Sequence, residues 1–330
     1  MYRRPNLFSY GISELTQDAM LSWLFDWAGP QYAAEDPALH KLGRNFLALV
    51  LQQGGGHALP LHLRQVSVAR QVHRIDILVE ADDFTVLVED KVGSTEHSDQ
   101  LNRYLACLVD QGRPRDRIVP VYIQTHEQAD YTAVEGAGYR VIHRTELLQL
   151  LDSYRAAGGR NGIVTEIHGY LADLQTRYTA FWHLPAAEWT EEAWQGFFTT
   201  LQKTFTDGSW LKVNNASEPF WAFHWGERGN DEVTCYMQIE EESLAFKTSV
   251  DGKERRSEWR NHWHERIVEA AEALQVDVHR PQRFGHGQCM TFAFWTPDYR
   301  KFTPAGQLDF QETIAEMRRA VALLDRVLPD

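Results

Sequence analysis

Apolar residues return every three or four positions in two stretches near the start of the chain, the spacing of one face of a helix. The first stretch predicts a helix from Glu14 to Trp27, with Ser13 as its N-cap. The second predicts a helix from Ala38 to Gln52, because the three glycines at 54–56 end the pattern. The chain therefore opens with two amphipathic helices.

The pattern then changes to short runs rich in β-branched residues, which are typical of strands. Residues 74–80 and 85–91 predict two strands joined by a hairpin-like turn at 81–84. Residues 118–124 also predict a strand, although Pro120 argues against a central place in a sheet. The other predicted elements of this half are strands over 63–69 and 138–143 and helices over 96–109, 145–154 and 164–182.

This order predicts an α/β domain over residues 1–155, built on a mixed central sheet flanked by helices, and a helical connector over 156–185. Residues 186–330 differ, since nine of the eleven tryptophans lie at position 182 or later. Strands and helices follow one another there without βαβ alternation, which predicts a separate α+β C-terminal domain. Its predicted strands lie at 210–213, 220–226, 232–240, 243–250, near 276 and at 288–295, and its helices at 188–205, 258–274 and 309–327.

Composition narrows the class of protein. Hydrophobic residues make up 43% of the chain, which supports a packed core, and the net charge is −13. No apolar run is long enough to span a membrane, no signal peptide is indicated, and the three cysteines form no CxxC pair. We therefore expect a cytoplasmic protein without a cysteine-based zinc site, in which any nucleic-acid partner needs a local basic groove or a bound cation.

Charged residues interrupt the two central strands at Asp76 and at Glu89-Asp90-Lys91. Side chains alternate along a strand, so Glu89 and Lys91 share one face and Asp90 points to the other. If the two strands pair in antiparallel fashion, Asp76 lies opposite Glu89 to Lys91. Two carboxylates that converge on an open site suit a hard cation, and a nearby lysine stabilises developing phosphate charge. The pattern thus favours metal-assisted phosphodiester hydrolysis.

The alternative is that these are solvated polar positions on ordinary strands. Their neighbours are core-forming, however, since 77–79 and 86–88 are all apolar. Charges among such residues are costly unless they are paired or bound to metal. Gln100 and Tyr104 follow on the next predicted helix at i,i+4 spacing, so they share a face that can reach a phosphate or a metal. An ordinary amphipathic helix would give the same spacing.

Taken together, these residues resemble the PD-(D/E)XK nuclease superfamily. Asp76 matches its strand aspartate, and Glu89-Asp90-Lys91 matches its (D/E)XK signature. Gln100 with Tyr104 matches the QxxxY motif of its exonuclease-like branch. The segment NLFSYGISELTQDAMLSWLFDWA at 6–28 is similar to the opening helix of a stand-alone bacterial and phage branch. The resemblance covers about residues 6–150, and Ile75 stands where the motif has proline.

The resemblance implies a restriction-endonuclease-like fold and a nuclease that uses Mg²⁺, with Mn²⁺ as a substitute. It implies that Asp76 and Glu89 bind the metal with help from the carbonyl group of Asp90, and that Glu14 completes the site. Lys91 would position the attacking water. Nucleic acid, DNA rather than RNA, is the implied substrate, and defence against phage or other mobile DNA the implied setting.

Two other functions stay open. A catalytically silent member of this fold would bind nucleic acid or a partner as a regulatory scaffold, and a homo-oligomer or a defence-system partner protein would supply basic surface that this chain lacks. Alternatively, the tryptophan-rich half binds a small molecule and gates the nuclease. In that half the aromatic run 220–225 is typical of a strand buried on both faces or of a base-stacking surface. The alternating charges at 254–269 indicate a salt-bridged solvent face without a zinc-binding histidine pair.

Overall fold

The computed structural model describes residues 6–11, 14–94, 99–214 and 219–328. The chain divides into two compact units, Met1–Thr176 and Arg177–Asp330. Ser13, the predicted N-cap of the first helix, and 96–98, the predicted start of the third, lie outside the described residues.

The first unit contains a sheet and the helices that cover it. Its strands are β1 (Val66–Val72), β2 (Ile75–Ala81), β3 (Phe84–Lys91), β4 (Ile118–Gln124) and β5 (Arg140–His143). Its helices are α1 (Glu14–Asp26), α2 (Pro37–Gly55), α3 (Gln100–Asp110), α4 (Thr132–Gly136), α5 (Arg144–Ala156) and α6 (Gly162–Tyr178), the last of which runs to the boundary between the units.

The five strands lie in the order β1-β2-β3-β4-β5. β1, β2 and β3 pair in antiparallel fashion, whereas β4 and β5 continue the sheet parallel to β3. A parallel connection requires a crossover, and α3 lies in the crossover between β3 and β4. The predicted mixed central sheet flanked by helices is therefore confirmed.

Each face of this sheet packs against its own set of helices. Val86 and Val88 of β3 belong to a core cluster that includes residues of α1, α2 and α5. Leu87, between them in sequence, belongs to a second cluster with Leu101 and Leu108 of α3. This alternation gives β3 one face toward α1 and the other toward α3, as the strand period requires.

Pro120 lies in a strand that has neighbours on both sides, so the expectation that it disfavours a central position is wrong. All seven residues of β4 are buried. Burial of a large apolar side chain contributes about 1.5–3 kcal/mol, whereas one lost backbone hydrogen bond costs about 1 kcal/mol. The packing of residues such as Val119 and Val121 therefore outweighs the missing N–H donor.

The second unit is built on an antiparallel sheet of six strands, in the order β10-β11-β9-β8-β7-β6. These strands are β6 (Ser209–Val213), β7 (Phe220–Gly229), β8 (Val233–Glu240), β9 (Ser243–Val250), β10 (Asp277–His279) and β11 (Cys289–Thr296). The helices of this unit are α7 (Glu191–Gln202), α8 (Arg256–Leu274) and α9 (Phe310–Val327). The predicted α+β architecture of the C-terminal part is confirmed.

The aromatic run of β7 is core rather than a base-stacking surface. Phe223 and Trp225 are buried, and Phe223 stacks on Phe198 of α7. The prediction of a salt-bridged solvent face on α8 is correct only in part. Arg255 forms ion pairs with Glu232 and Glu258 just before the helix, but Arg260 is buried and donates to the carbonyl oxygen of Gly285 at 2.7 Å.

No helix in the described part of the chain has both the length and the apolar character needed to cross a membrane.

Candidate active site at the ends of β2 and β3

The antiparallel pairing of β2 with β3 brings the predicted acidic residues together. Ile77 pairs with Val88, so the next position outward places Asp76 opposite Glu89. The backbone N–H of Asp90 donates to Oδ2 of Asp76 at 3.0 Å. The register expected from the short hairpin thus holds to the end of the ladder.

Glu89 and Lys91 share the face of β3 that is turned toward α3. The Lys91 Nζ atom lies 2.5 Å from Oε1 of Glu89. Gln100, the first residue of α3, donates its side-chain amide to the same Oε1 oxygen. Glu89 is therefore held by two donors, one from its own strand and one from the helix that follows.

Glu89 is nearly inaccessible to solvent, with 2% of its surface exposed. Burial and the nearby charge of Asp76 raise its pKa to about 7, against the opposing effect of Lys91. Its second oxygen, Oε2, is buried and has no hydrogen-bond partner among the described residues. A carboxylate kept in such surroundings with a free oxygen is typical of functional sites.

Lys91 keeps its positive charge in this site. Burial lowers its pKa, but the charge and hydrogen bond of Glu89, together with the charges of Asp76 and Glu14, raise the pKa above its ordinary value. Tyr104 lies one helical turn beyond Gln100 on the same face of α3. Burial and the charges of Glu89 and Asp76 raise the pKa of Tyr104, so its phenol stays protonated at neutral pH.

Glu14 is the first described residue of α1, and its Oε1 accepts a hydrogen bond from the Ser94 hydroxyl at 2.5 Å. Ser94 follows β3 by three residues, so this contact ties the start of α1 to the end of β3. Glu14 also contributes to the raised pKa of Lys91. The sequence-predicted site residues therefore lie around the ends of β2 and β3, with the exception of the Asp90 side chain.

Asp90 faces the opposite side of β3, where it is completely buried under α1. Its Oδ1 accepts from the Gln17 side-chain amide at 2.6 Å, and burial raises its pKa well above the ordinary value. Oε1 of Gln17 in turn accepts from the Thr125 hydroxyl at 2.7 Å. The Asp90 carboxyl group is thus part of a buried network, and only the main-chain atoms of Asp90 can contribute to the candidate site.

Sequence reasoning missed Gln17 and Gln71 as supports of this site. Gln71 donates to Oδ2 of Asp18 at 3.1 Å and to Oδ1 of Asp76 at 3.3 Å, so it joins α1 to the strand aspartate. Gln17 and Asp18 follow Glu14 at i,i+3 and i,i+4, a spacing that would have placed them on one helix face. Gln71 gives no such signal, because it lies in β1 with a left-handed φ of 55°, an irregularity that the strand pattern does not predict.

The donor set fits a hard divalent cation. Asp76 and Glu89 supply carboxylate oxygens at the ends of neighbouring strands, and Oε2 of Glu89 has no hydrogen-bond partner among the described residues. Within the described ranges, no group of three or more His, Cys, Asp or Glu side chains is placed to hold a metal ion. The site therefore offers two protein carboxylates, and Mg²⁺ is commonly bound by one or two carboxylates together with water.

Replacement of Gln17 by alanine is expected to lower the free energy of unfolding by about 2 kcal/mol. The change leaves Asp90 and Thr125 as buried polar groups without their partner, and such groups cost about 1–3 kcal/mol each. Gln53→Ala is the matched control, because Gln53 is exposed on α2 and donates only to Glu146. Urea denaturation measures both variants, and equal unfolding midpoints would show that the network contributes nothing.

Comparison with known proteins agrees with this geometry. A family model described as the PD-(D/E)XK nuclease superfamily matches residues 5–174, just over half of the chain. Neither a curated protein nor a solved structure was found to match. The match includes β2, β3 and α3 with all the residues of the candidate site. The chain therefore belongs to the PD-(D/E)XK nuclease superfamily.

Proposed function

We propose that this protein is a metal-dependent nuclease that hydrolyses phosphodiester bonds of nucleic acid, with DNA as the expected substrate. The observation that carries the proposal is the surroundings of Glu89. This buried carboxylate lies opposite Asp76, accepts hydrogen bonds from Lys91 and Gln100, and keeps one oxygen unpaired. Buried carboxylate oxygens normally have a hydrogen-bond partner, and a bound cation between Asp76 and Glu89 would supply the one that Oε2 of Glu89 lacks.

Asp76 and Glu89 are the residues that would hold the cation, and we expect it to be Mg²⁺, with Mn²⁺ able to replace it. When bound, a divalent ion lowers the pKa of a water molecule and neutralises charge on a phosphate. Glu14 lies near enough to Lys91 to act on its pKa, so we place it at the margin of the same cation site. The Asp90 carbonyl oxygen is the remaining expected contributor.

Three side chains around Glu89 have distinct roles in the proposed reaction. Gln100 fixes the rotamer of Glu89 through its amide. The ammonium group of Lys91, kept protonated by its carboxylate neighbours, is available to orient water and to stabilise negative charge that develops on phosphate. The protonated phenol of Tyr104 supplies a further hydrogen-bond donor on the α3 side.

Cleavage assays on four substrates test the proposal. The purified protein is incubated with supercoiled plasmid, linear duplex DNA, single-stranded DNA and RNA, in Mg²⁺, in Mn²⁺ and in EDTA. We expect degradation of at least one DNA substrate with either metal and none in EDTA. Absence of cleavage on all four substrates in both metals would contradict the proposal and favour a regulatory protein that keeps the fold without the activity.

The assay also separates the finer parts of the proposal. Conversion of supercoiled plasmid to nicked and linear forms indicates endonuclease action, whereas degradation of linear DNA alone indicates attack from ends. Cleavage of RNA without cleavage of DNA would contradict the expected substrate but keep the metal-dependent nuclease. Activity that persists in EDTA would contradict the proposed role of Asp76 and Glu89.

A further inference from the structure

The second unit contains a cleft of about 850 Å³ that the proposed nuclease chemistry does not use. Its walls come from the β7–β8 hairpin, from α8 and from the C-terminal end of α9. The principal side chains that line it are Arg228, Cys235, Trp259, His262, Trp263 and Arg266. Ligand pockets in proteins typically measure about 300–1,000 Å³, so the cleft has the size of a small-molecule site.

One wall of the cleft is aromatic. Trp259 and Trp263 stand one turn apart on α8, and their rings are stacked with centroids 5.8 Å apart and an interplanar angle of 17°. The His262 ring meets both edge-on, at 5.7 and 4.9 Å. The Arg255 guanidinium lies 4.9 Å from the centroid of the Trp259 ring, so a planar ligand ring would extend this aromatic and arginine stack, and such stacking contributes about 1–3 kcal/mol per nucleic-acid base.

The rest of the lining is biased toward positive charge. Arg228 faces Asp325 across 3.6 Å. Arg266 is exposed and has no ion-pair partner among the described residues. Among the described residues the cleft is lined by two arginines and one carboxylate, although residues 181–330 carry 16 Lys and Arg side chains against 24 Asp and Glu. This local excess opposes the charge of the surrounding unit and favours an anionic ligand.

Hydrogen-bond donors are also in surplus here. The indole N–H groups of Trp259 and Trp263 are buried, and in the described part of the chain neither has an acceptor. By contrast, Oδ1 of Asn230 is already engaged by the backbone N–H groups of Glu232 and Val233. A ligand rich in acceptors complements such a lining, whereas a second cation or a donor-rich ligand does not.

We propose that this cleft binds a mononucleotide, with the base against the Trp259–Trp263 wall and the phosphate beside Arg228 and Arg266. A mononucleotide joins a planar ring to a dianionic acceptor group, and both features are needed to match the two sides of the cleft. Arginine pairs with phosphate through two parallel hydrogen bonds. A lone aromatic ring would leave the arginines without a partner, and a lone phosphate would leave the tryptophan wall without one. The proposal does not depend on the nuclease activity of the first unit.

Isothermal titration calorimetry on the full chain tests this proposal. The probes are AMP, GMP, CMP and UMP, with adenosine and inorganic phosphate as the two half-ligands. All titrations are done in EDTA, so that metal-dependent binding to the first unit does not contribute. We expect at least one mononucleotide to bind at least about tenfold more tightly than either half-ligand, since a charged hydrogen bond contributes about 1.5–3 kcal/mol.

Two exposed arginines provide the matched variants. Arg266→Ala is expected to weaken mononucleotide binding about tenfold or more. Arg318→Ala removes an exposed arginine of α9 that does not line the cleft, and it is expected to leave the affinity unchanged. The thermal melting of both variants shows whether they fold as the wild type does. If Arg266→Ala does not fold, Arg228→Ala takes its place as the cleft variant.

Three results would overturn the proposal. One is that none of the four mononucleotides binds at a concentration of about 1 mM, a Kd equivalent to about −4 kcal/mol. Another is that Arg266→Ala and Arg228→Ala bind as the wild type does, because the ligand then lies elsewhere. The third is that Asp76→Asn abolishes the binding in EDTA, which would assign the signal to the nuclease site. Failure of the cleavage assay alone has no bearing on these outcomes.

Discussion

Lys91→Ala is expected to lower the rate of nucleic-acid cleavage about 10²- to 10³-fold, the range measured when one preorganised donor is removed from an enzyme site. The protein should remain folded, because Lys91 is the last residue of β3 and Glu89, whose pKa is about 7, can take up a proton once its partner is removed. The measurement is the initial rate on the best substrate in Mg²⁺ or Mn²⁺, with circular dichroism as the check on folding.

The expected loss follows from the contacts of Lys91. Its ammonium group is the only lysine charge within ion-pair distance of Glu89 among the described residues. Without it, burial and the Asp76 charge act on Glu89 unopposed, and both raise the pKa of that carboxyl group. A protonated Glu89 is a poorer cation ligand. The substitution therefore has two effects: it removes the positive charge of Lys91, and it weakens cation binding by Glu89.

Lys41→Ala is the matched control, because Lys41 is exposed on α2 and has the same side chain. We expect its activity to equal that of the wild type. Asp76→Asn keeps the size of the side chain but removes its charge, and it should also abolish cleavage. Wild-type rates in either Lys91→Ala or Asp76→Asn would contradict the mechanism, even if the protein itself proved to be a nuclease.

The geometry of these residues was accessible from sequence because it depends on local rules. Side chains in a strand alternate with a period of two, and the short turn at 81–84 limits the register of β2 against β3. Together they place Asp76 opposite Glu89, and Lys91 on the same face as Glu89. The pairing and the hydrogen bonds agree with both expectations.

The supports of the site were not accessible in the same way. Gln71, which contacts Asp76, has a left-handed φ of 55° within β1, and no glycine at that position indicates this conformation in the sequence. Gln17 reaches Asp90 across 73 positions of sequence. Such contacts depend on how α1 crosses the sheet, which is a tertiary property that helical periodicity does not determine.

The cleft of the second unit shows the same limit. The sequence left open a small-molecule site in this half, but the alternating charges at 254–269 indicated only a solvent-exposed helix face. Which residues lie across from that face depends on β7 and α9, since Arg228 comes from the former and Asp325 from the latter. Periodicity within one helix therefore did not identify the cleft.

The crossing of α1 and α2 leads to the second large prediction, because Gly43 lies where the two helices touch. A methyl group at Gly43 would meet the Ala28 nitrogen and the Trp27 carbonyl carbon at 2.6 Å and the Leu24 carbonyl oxygen at 2.7 Å. All three are main-chain atoms, which cannot move aside as a side chain can. The rings of Phe25 and Phe46, with centroids 4.3 Å apart, keep the helices in register nearby.

Gly43→Ala is therefore expected to lower the free energy of unfolding by about 3 kcal/mol, the upper part of the range for overpacked cores. For a unit of this size the loss corresponds to a melting temperature about 6–12 °C lower. Differential scanning calorimetry measures the shift, and cleavage activity followed against temperature reports on the first unit. The activity should be lost at the same lower temperature, because α1 carries Glu14 and Gln17.

Gly136→Ala is the matched control for this substitution. It adds the same methyl group to a helix of the same unit, but nothing lies within 4 Å of the new carbon. Since the loss of a glycine restricts the unfolded chain, we expect Gly136→Ala to be neutral or to stabilise by about 0.4–1 kcal/mol. If Gly43→Ala melted at the same temperature as Gly136→Ala, the close approach of α1 and α2 would be refuted.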